Sequence, residues 1–351
     1  MSTGPMSTGP MSTGPMSTAP MTDEDAVPAT GMPPVSVFMT VRNEERDLAE
    51  CVRRILAQDY AGEIEVVVAV GPSEDRTREI ADELAAAYPS VTVVDNPTGL
   101  TPHGLNAAIA AARHDFLVRA DGHALFPPDY LTRVVGALMD TGAANVGGRM
   151  SPKGTTAFGR AVARTMSSRF GIGGAAFHTG GEPGPQLTVY LGAFRRSALE
   201  KVGGYDEHFV RAQDWELNHR LREAGEQIWF LPDVAVTYHP RETWKTFATQ
   251  QYRTGGWRRR VIRQHPDTAS VRYLAPPAAV VGSGLGLVTG LVGLATTPWL
   301  LAGFALPVAY LTGVAVASAW EGRDLDTAAR IRLPVAMVTM HGAWGLGFLF
   351  S

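Results

Sequence analysis

Three side chains in this 351-residue sequence have types and spacings that could do chemistry. The stretch FLVRADGHALFP, Phe116 to Pro127, runs apolar and then presents Asp121 and His123 with Gly122 between them. Residues i and i+2 of an extended segment share a face, so this carboxylate and imidazole can reach one divalent ion. Oxygen ligands suit Mg2+ or Mn2+, and an imidazole tilts the pair towards Mn2+. A plain Asp-Gly turn accounts for the same three residues. The third candidate, Asp214 in QDWELNHRLREAG, opens a helical pattern, where the positive end of the helix stabilises an anion. From there a carboxylate can serve as general base towards an alcohol; a simple N-cap is the bland alternative. Glu216 and His219 read as surface or supporting residues.

These residues need a scaffold, and its signals precede them. VSVFMTV (Val35–Val41) is a β-rich apolar run, after which Asn43 can cap a helix carrying Leu48, Cys51, Val52, Ile55 and Leu56 on one face. IEVVVAV (Ile64–Val70) is a second strand, with Ser73 as cap of the next helix. VTVVD (Val91–Asp95) is a third strand, LNAAIAAAR (Leu105–Arg113) a helix, and FLVRA a fourth strand ending at Asp121. Strands alternating with helices on short connections predict a parallel sheet covered on both faces. Ligands gather beyond the carboxyl ends of such strands, where Asp121, GPSED and DNPTG lie. Further on the pattern becomes mixed: LTVYLGAFRR (Leu187–Arg196) reads as a strand, AQDWELNHRLREAG as a helix and QIWFL as a strand. The Gly-rich piece Phe170–Gln186 is expected to be a mobile loop over the cleft.

Composition narrows the class. A formal charge of −3 with 19% charged residues predicts no nucleic-acid partner. The lone Cys51 excludes an internal disulfide and falls at a core position of its helix. Phosphate loops of the GxGxxG and GxxxxGK[ST] kinds are absent, against dehydrogenase and ATPase readings. Four five-residue repeats of the MSTGP kind open the chain, and disorder is expected to about Pro33, residues 1–33.

The carboxyl-terminal end is of another kind. From Leu274 to Trp320 there is no Asp, Glu, Lys, Arg or His, more than twice the ~20 residues one membrane span needs. Thr296, Thr297 and Pro298 divide it into Leu274–Thr297 and Trp299–Trp320, and Leu333–Phe350 is a third, shorter candidate. Between Arg241 and Tyr273 stand eight Arg or Lys and two acids, whereas the turn at Pro298 is uncharged. Positive segments stay cytoplasmic, so the first two spans form a hairpin, residues 34 to about 270 form a cytosolic part of which 34–240 is the α/β domain, and a third span would place Ser351 outside. Residues 241–273, with Tyr252, Trp257 and Arg258 among the arginines, read as amphipathic interfacial helices.

In order and content these segments resemble inverting family-two glycosyltransferases of GT-A fold, over roughly residues 34 to 265. The segments that carry the resemblance are SVFMTVRNEERDLAECVRRILAQDY, GPSEDRTREIA, GLNAAIAAARHDFLVRADGHA and YLGAFRRSALEKVGGYDEHFVRAQDWELNHRLREAG. DGHALFPPDY is most similar to the succinoglycan-biosynthesis glucosyltransferase subgroup. Two departures stand out: the metal motif ends in His123 rather than Asp, and Gln213-Asp214 replaces an acidic pair. The Gln-x-x-Arg-Trp signature of processive synthases is missing, with QQYRTGGWRRR in that region, which favours transfer of a single sugar.

The resemblance implies an α/β fold: a Rossmann-like GT-A domain with a mostly parallel mixed sheet, followed by transmembrane helices (residues 274–351). It assigns Arg42, Glu44 and Asp75 to the nucleotide site, Asp121 and His123 to the Mg2+ or Mn2+ on the donor's diphosphate, and Asp214 to the base. His239 in VTYHP stands where some relatives place a further ligand, with packing its plainer role. Trp215, Tyr252, Trp257 and Arg258 fall on the acceptor and membrane side. The expected protein is a multi-pass enzyme of the inner or plasma membrane, facing the cytoplasm. It would use a UDP-glucose-like donor and a lipid-linked or polysaccharide-precursor acceptor. The rival expectation is a non-catalytic membrane subunit of a polysaccharide assembly or transport complex with a degenerate domain of this fold.

Overall fold

The computed structural model describes residues 31–351; the repeats at the start of the chain lie outside the described residues. Strands β1 (Val35–Val41), β2 (Ile64–Val70), β3 (Val91–Asp95) and β4 (Phe116–Arg119) alternate with helices α1 (Leu48–Leu56), α2 (Thr77–Ala87) and α3 (Thr101–Ala111). β1 and β2 are buried almost throughout because helices cover both faces of the sheet, which is why their sequences are continuous rather than alternating. Leu48, Cys51, Val52 and Ile55 form the buried stripe of α1, each core aliphatic of this kind contributing roughly 1.5–3 kcal/mol.

The chain continues through α4 (Tyr130–Thr141), β5 (Asn145–Pro152), α5 (Ala157–Ser167), a single turn α6 (Ala176–Thr179), β6 (Gly184–Pro185), β7 (Tyr190–Arg195), α7 (Arg196–Val202), α8 (Gln213–Glu223) and β8 (Ile228–Tyr238). The eight strands lie in the order β3-β2-β1-β4-β7-β5-β8-β6. The first four are mutually parallel, β7 is antiparallel to β4 and β5, and β8 is parallel to β5. From β1 the chain winds outward through β2 and β3, then returns to lay β4 on the other side of β1. The crevice between the carboxyl ends of β1 and β4 is therefore the sheet's switch point, where ligands collect in such folds.

Two expected caps serve another purpose. Asn43 adopts a left-handed backbone (φ 56°), and α1 starts only at Leu48. The Asn43 amide donates to Ser73 Oγ (3.2 Å), and the Glu74 amide donates to Asn43 Oδ1 (2.9 Å). Both residues thus stitch the loop after β1 to the loop after β2 instead of capping helices, the short Asn side chain tolerating the left-handed turn. The Gly-rich segment, expected as a mobile loop, contributes α6 and β6, and β6 pairs with β8.

After β8 come α9 (Trp244–Gln264), α10 (Val271–Ala295), a 3-10 turn (Pro298–Phe304), α11 (Ala305–Glu321) and α12 (Thr327–Phe350). Three stretches, Val271–Ala295, Pro298–Glu321 and Thr327–Phe350, are long and apolar enough to cross a membrane. The last extends well upstream of the expected Leu333.

Candidate active site

At the end of β4, Arg119 is the residue that organises the cleft, and nothing in the sequence reading singled it out. Its side chain is only 6% exposed; Nη2 donates to Asp121 Oδ1 (3.1 Å), and Nη1 donates to Asp214 Oδ1. Burial works against its charge, but the two carboxylates prevail and hold the guanidinium well above its usual range. One planar fork thereby joins the sheet edge to the first turn of α8. Among the described residues, no donor engages Oδ2 of Asp121 or of Asp214, so each acid keeps one oxygen for another partner.

Asp214 is placed by strained backbone. Ala212, just before α8, is left-handed (φ 60°), a conformation disfavoured for a residue with a Cβ and concentrated at functional sites. The turn swings Asp214 to Arg119 while Trp215 points into the protein. Burial pushes the Asp214 carboxyl above the usual carboxylate range, with Arg119 opposing and Asp121 adding to the rise. A raised carboxylate is a better proton acceptor once ionised.

His123 sits two residues beyond Asp121, and its Nδ1 lies 2.8 Å from Glu44 Oε1. That hydrogen bond raises the imidazole pKa against the effect of burial. Carboxylate on one ring nitrogen with the other free is the arrangement that orients metal-binding histidines. Gly122 permits it, because a Cβ there would meet Val41 Cγ1 at 2.7 Å and Glu44 Cγ at 3.4 Å. In donor chemistry, a carboxylate oxygen of Asp121 and the ring nitrogen of His123 that faces away from Glu44 suit a Mg2+- or Mn2+-class ion. No cluster of three or more His, Cys, Asp or Glu residues poised for a metal occurs among the described residues, so most ligands would come from substrate and water.

Glu44, which the resemblance set near base and ribose, is in hydrogen-bond contact with His123. Asp75 accepts bonds from within the fold: Oδ1 accepts from the Thr77 amide (3.0 Å) and hydroxyl (2.5 Å), and Oδ2 from the Glu45 amide (3.2 Å). The Thr77 hydroxyl bond leads the effects that hold the Asp75 carboxyl below its usual range. These bonds help join the loop after β1 to the loop after β2. Arg42 is exposed and lies against Gly99 in the loop after β3, without an ion-pair partner among the described residues. His239 is exposed just after β8. An isolated antiparallel bridge, Thr237 amide to Leu125 carbonyl (3.3 Å), joins the end of β8 to the segment that follows Asp121.

On the acceptor side, Arg258 of α9 stacks 4.7 Å over the Trp215 ring and 3.9 Å over Tyr273, and its Nη1 is buried without a partner. Trp257 packs on Phe209 (6.5 Å), while Tyr252 faces α12 instead. Burial, then the neighbouring Arg253 and Arg241, lowers the pKa of Arg211 in the loop before α8, so positive charge gathers at the mouth of the cleft. The arrangement gathers two carboxylates on one guanidinium, an imidazole and a cationic rim around one crevice.

Comparison with known proteins gives this geometry a context. Residues 33–256 match the family described as glycosyltransferase like family 2. Succinoglycan biosynthesis protein ExoA of Rhizobium meliloti (strain 1021) is 32% identical over 286 residues, covering 81% of this chain and 84% of the relative. A dolichyl N-acetyl-alpha-D-glucosaminyl phosphate 3-beta-D-2,3-diacetamido-2,3-dideoxy-beta-D-glucuronosyltransferase of Methanococcus voltae is 24% identical over 239 residues (66% and 74%). In fold, the chain is similar to the mannosyltransferase PcManGT from Pyrobaculum calidifontis in complex with GDP-Man and Mn2+. That likeness has a TM-score of 0.54 at 20% identity, over 90% of this chain and 87% of the other.

Proposed function

Because the chain belongs to glycosyltransferase family 2, we propose that it is a membrane-bound inverting enzyme moving one sugar from a nucleotide-sugar donor to a lipid-linked or polysaccharide-precursor acceptor. The observation that carries this reading is the Arg119 bridge, which sets an acid of the metal pair and a candidate base on either side of one guanidinium at the switch point.

In this reading Asp121 and His123 would hold a divalent cation, which when bound would supply charge neutralisation for the departing diphosphate. Asp214 accepts the proton of the acceptor hydroxyl on its free Oδ2 as that oxygen attacks the anomeric carbon from the face opposite the leaving group. Arg119 orients Asp214 and favours its ionised form against the effect of burial, and positioning supplies much of the remaining acceleration. Residues 34–240 make up the catalytic unit, 241–273 the interfacial unit and 274–351 the membrane unit, with the catalytic unit on the cytoplasmic side. A UDP-glucose-like donor follows from the subgroup resemblance, and ExoA's name supports a place in polysaccharide assembly. The bridge also speaks against the rival subunit reading, since both acids stand ready for use.

The test is a screen of UDP- and GDP-sugars with Mn2+ and membrane lipid extract, followed by product analysis. Sugar transfer with inverted configuration is expected; retained configuration, or no donor-dependent rise in melting temperature, would overturn the proposal.

A further inference from the structure

We propose that α12, although long and apolar enough to span, does not cross the bilayer. It lies beside α9 against the leaflet on the catalytic side, and only the α10–α11 hairpin enters the membrane. Ser351 is then on the same side as the catalytic domain.

Both ends of α12 are held by charged groups that belong to the catalytic side. At its start, the capping residue Asp326 pairs with Arg160 of α5 (2.7 Å), and neighbouring Asp324 pairs with Arg164. At its end, Arg259 of α9 donates to the carbonyls of Leu349 (2.8 Å) and Ser351 (3.3 Å). A helix of 24 residues is ~36 Å long, longer than the ~30 Å hydrocarbon core. If α12 spanned, one of these polar clasps would be carried to the far headgroups.

The middle of the helix says the same. Ala161, Val162 and Met166 of α5 and Phe247 of α9 share one buried cluster with Leu333, Ala336, Met337 and Met340, which Val314 and Ala317 join from the second half of α11, the half that returns to the catalytic side. α9 runs alongside in the same direction: Trp244 Nε1 donates to Thr339 Oγ1 (2.9 Å) near one end, and Arg259 meets Leu349 near the other. The backbones touch, since a Cβ on Gly347 would meet the Tyr252 carbonyl at 1.9 Å and one on Gly255 the Trp344 carbonyl at 2.0 Å. A spanning α12 would therefore drag α9 to membrane depth together with Lys245, Arg253, Arg258, Arg259, Arg260 and Arg263, each costly there. α9 is also anchored to the sheet domain: Val261 packs with Phe209 and Trp215, and Gln250 donates to the Tyr238 hydroxyl (3.2 Å).

What α12 leaves uncovered suits a leaflet surface. Ile331, Val335 and Leu346 recur at helical spacing on one exposed stripe. Val335 and Leu346 line an open apolar groove of about 750 Å³ with Trp244, Ala248 and Tyr252 of α9. Its occupant is hydrocarbon from lipids of that leaflet, with Trp, Tyr and Arg at headgroup level. The hairpin differs: Leu285, Val288, Leu291, Leu294, Trp299 and Leu306 are exposed around a tip without charge.

The test reads topology and not transfer, so it stands apart from the catalytic proposal. In sealed membrane vesicles of known orientation, S351C and E182C in the full chain are treated with a membrane-impermeant maleimide. Labelling from the same face is expected; S351C labelled from the face opposite E182C, in all or part of the population, overturns the proposal. A carboxyl-terminal epitope tag, lost to protease only together with the catalytic domain, gives the same reading without cysteine. Fluorophores on I331C, V335C and L346C should be quenched equally by shallowly brominated lipid. A profile that steps through bilayer depth along these three positions overturns it as well.

Discussion

Arg119 on β4 and Asp214 on α8, far apart in sequence, share a hydrogen bond at the floor of the cleft, and the same guanidinium reaches Asp121 at 3.1 Å. The bridge links the two carboxylates to which the proposed function gives the cation and base roles. Removing the guanidinium removes an interaction that favours ionised Asp214. Arg119→Met should lower kcat by about 10²-fold and move the acid limb of its pH profile to higher pH, because the Asp214 pKa rises further once Arg119 no longer opposes burial. Arg119→Lys should fall between, keeping charge but losing the fork. A pH–rate profile unchanged by Arg119→Met would show that the bridge plays no part in turnover.

Asp214→Asn should abolish transfer, a loss of about 10²–10⁴-fold for a general base, while donor affinity measured calorimetrically stays near wild type. Donor binding lost in parallel with turnover would place Asp214 on the donor instead.

Glu44→Gln should weaken Mn2+ affinity about 10–100-fold by releasing the His123 ring. The Glu44 bond raises the His123 pKa, so its contribution to stability is complete below the ordinary imidazole range and fades as pH rises through the raised value. The Gln variant should therefore lose stability relative to wild type at pH 6 more than at pH 9, a difference that thermal melts can read.

Gly122→Ala should cost about 1–3 kcal/mol through overpacking against Val41 and reduce metal-dependent donor binding at the same time. A variant that loses neither would show that the approach of this turn to β1 is not tight.

Burial pushes the Cys51 thiol up to about 12. The folded state thus holds this proton harder than the unfolded one. The associated stability is present below the ordinary thiol pKa and is lost as pH climbs towards 12. At pH 8, thiol labelling of the native protein should be on the order of 10³-fold slower than of the denatured chain. Comparable rates would mean that α1 opens readily.

Local order in the sequence was enough for much of this protein. Continuous β-branched runs in Val35–Val41 and Ile64–Val70, and the spacing of Leu48, Cys51, Val52 and Ile55, specify covered parallel strands and a one-faced helix, because burial on two faces or on one leaves different periodicities. The Asp121–His123 pair was visible for the same reason, being only two residues apart. Asn43 and Ser73 misled because a capping residue and a loop stitch use the same side-chain oxygens. Their partners, each in the other's loop, are thirty residues away. Arg119 read as one more residue of a buried strand, and Leu333–Phe350 as a third, shorter candidate span, a reading that its length and hydropathy still allow. Hydropathy records how apolar a helix is, not whether lipid or protein covers it. Which carboxylates meet a guanidinium, and which charged clasps close the ends of a helix, depend on contacts between remote segments, and those exist only once the sheet has brought β4, α8, α5 and α9 together.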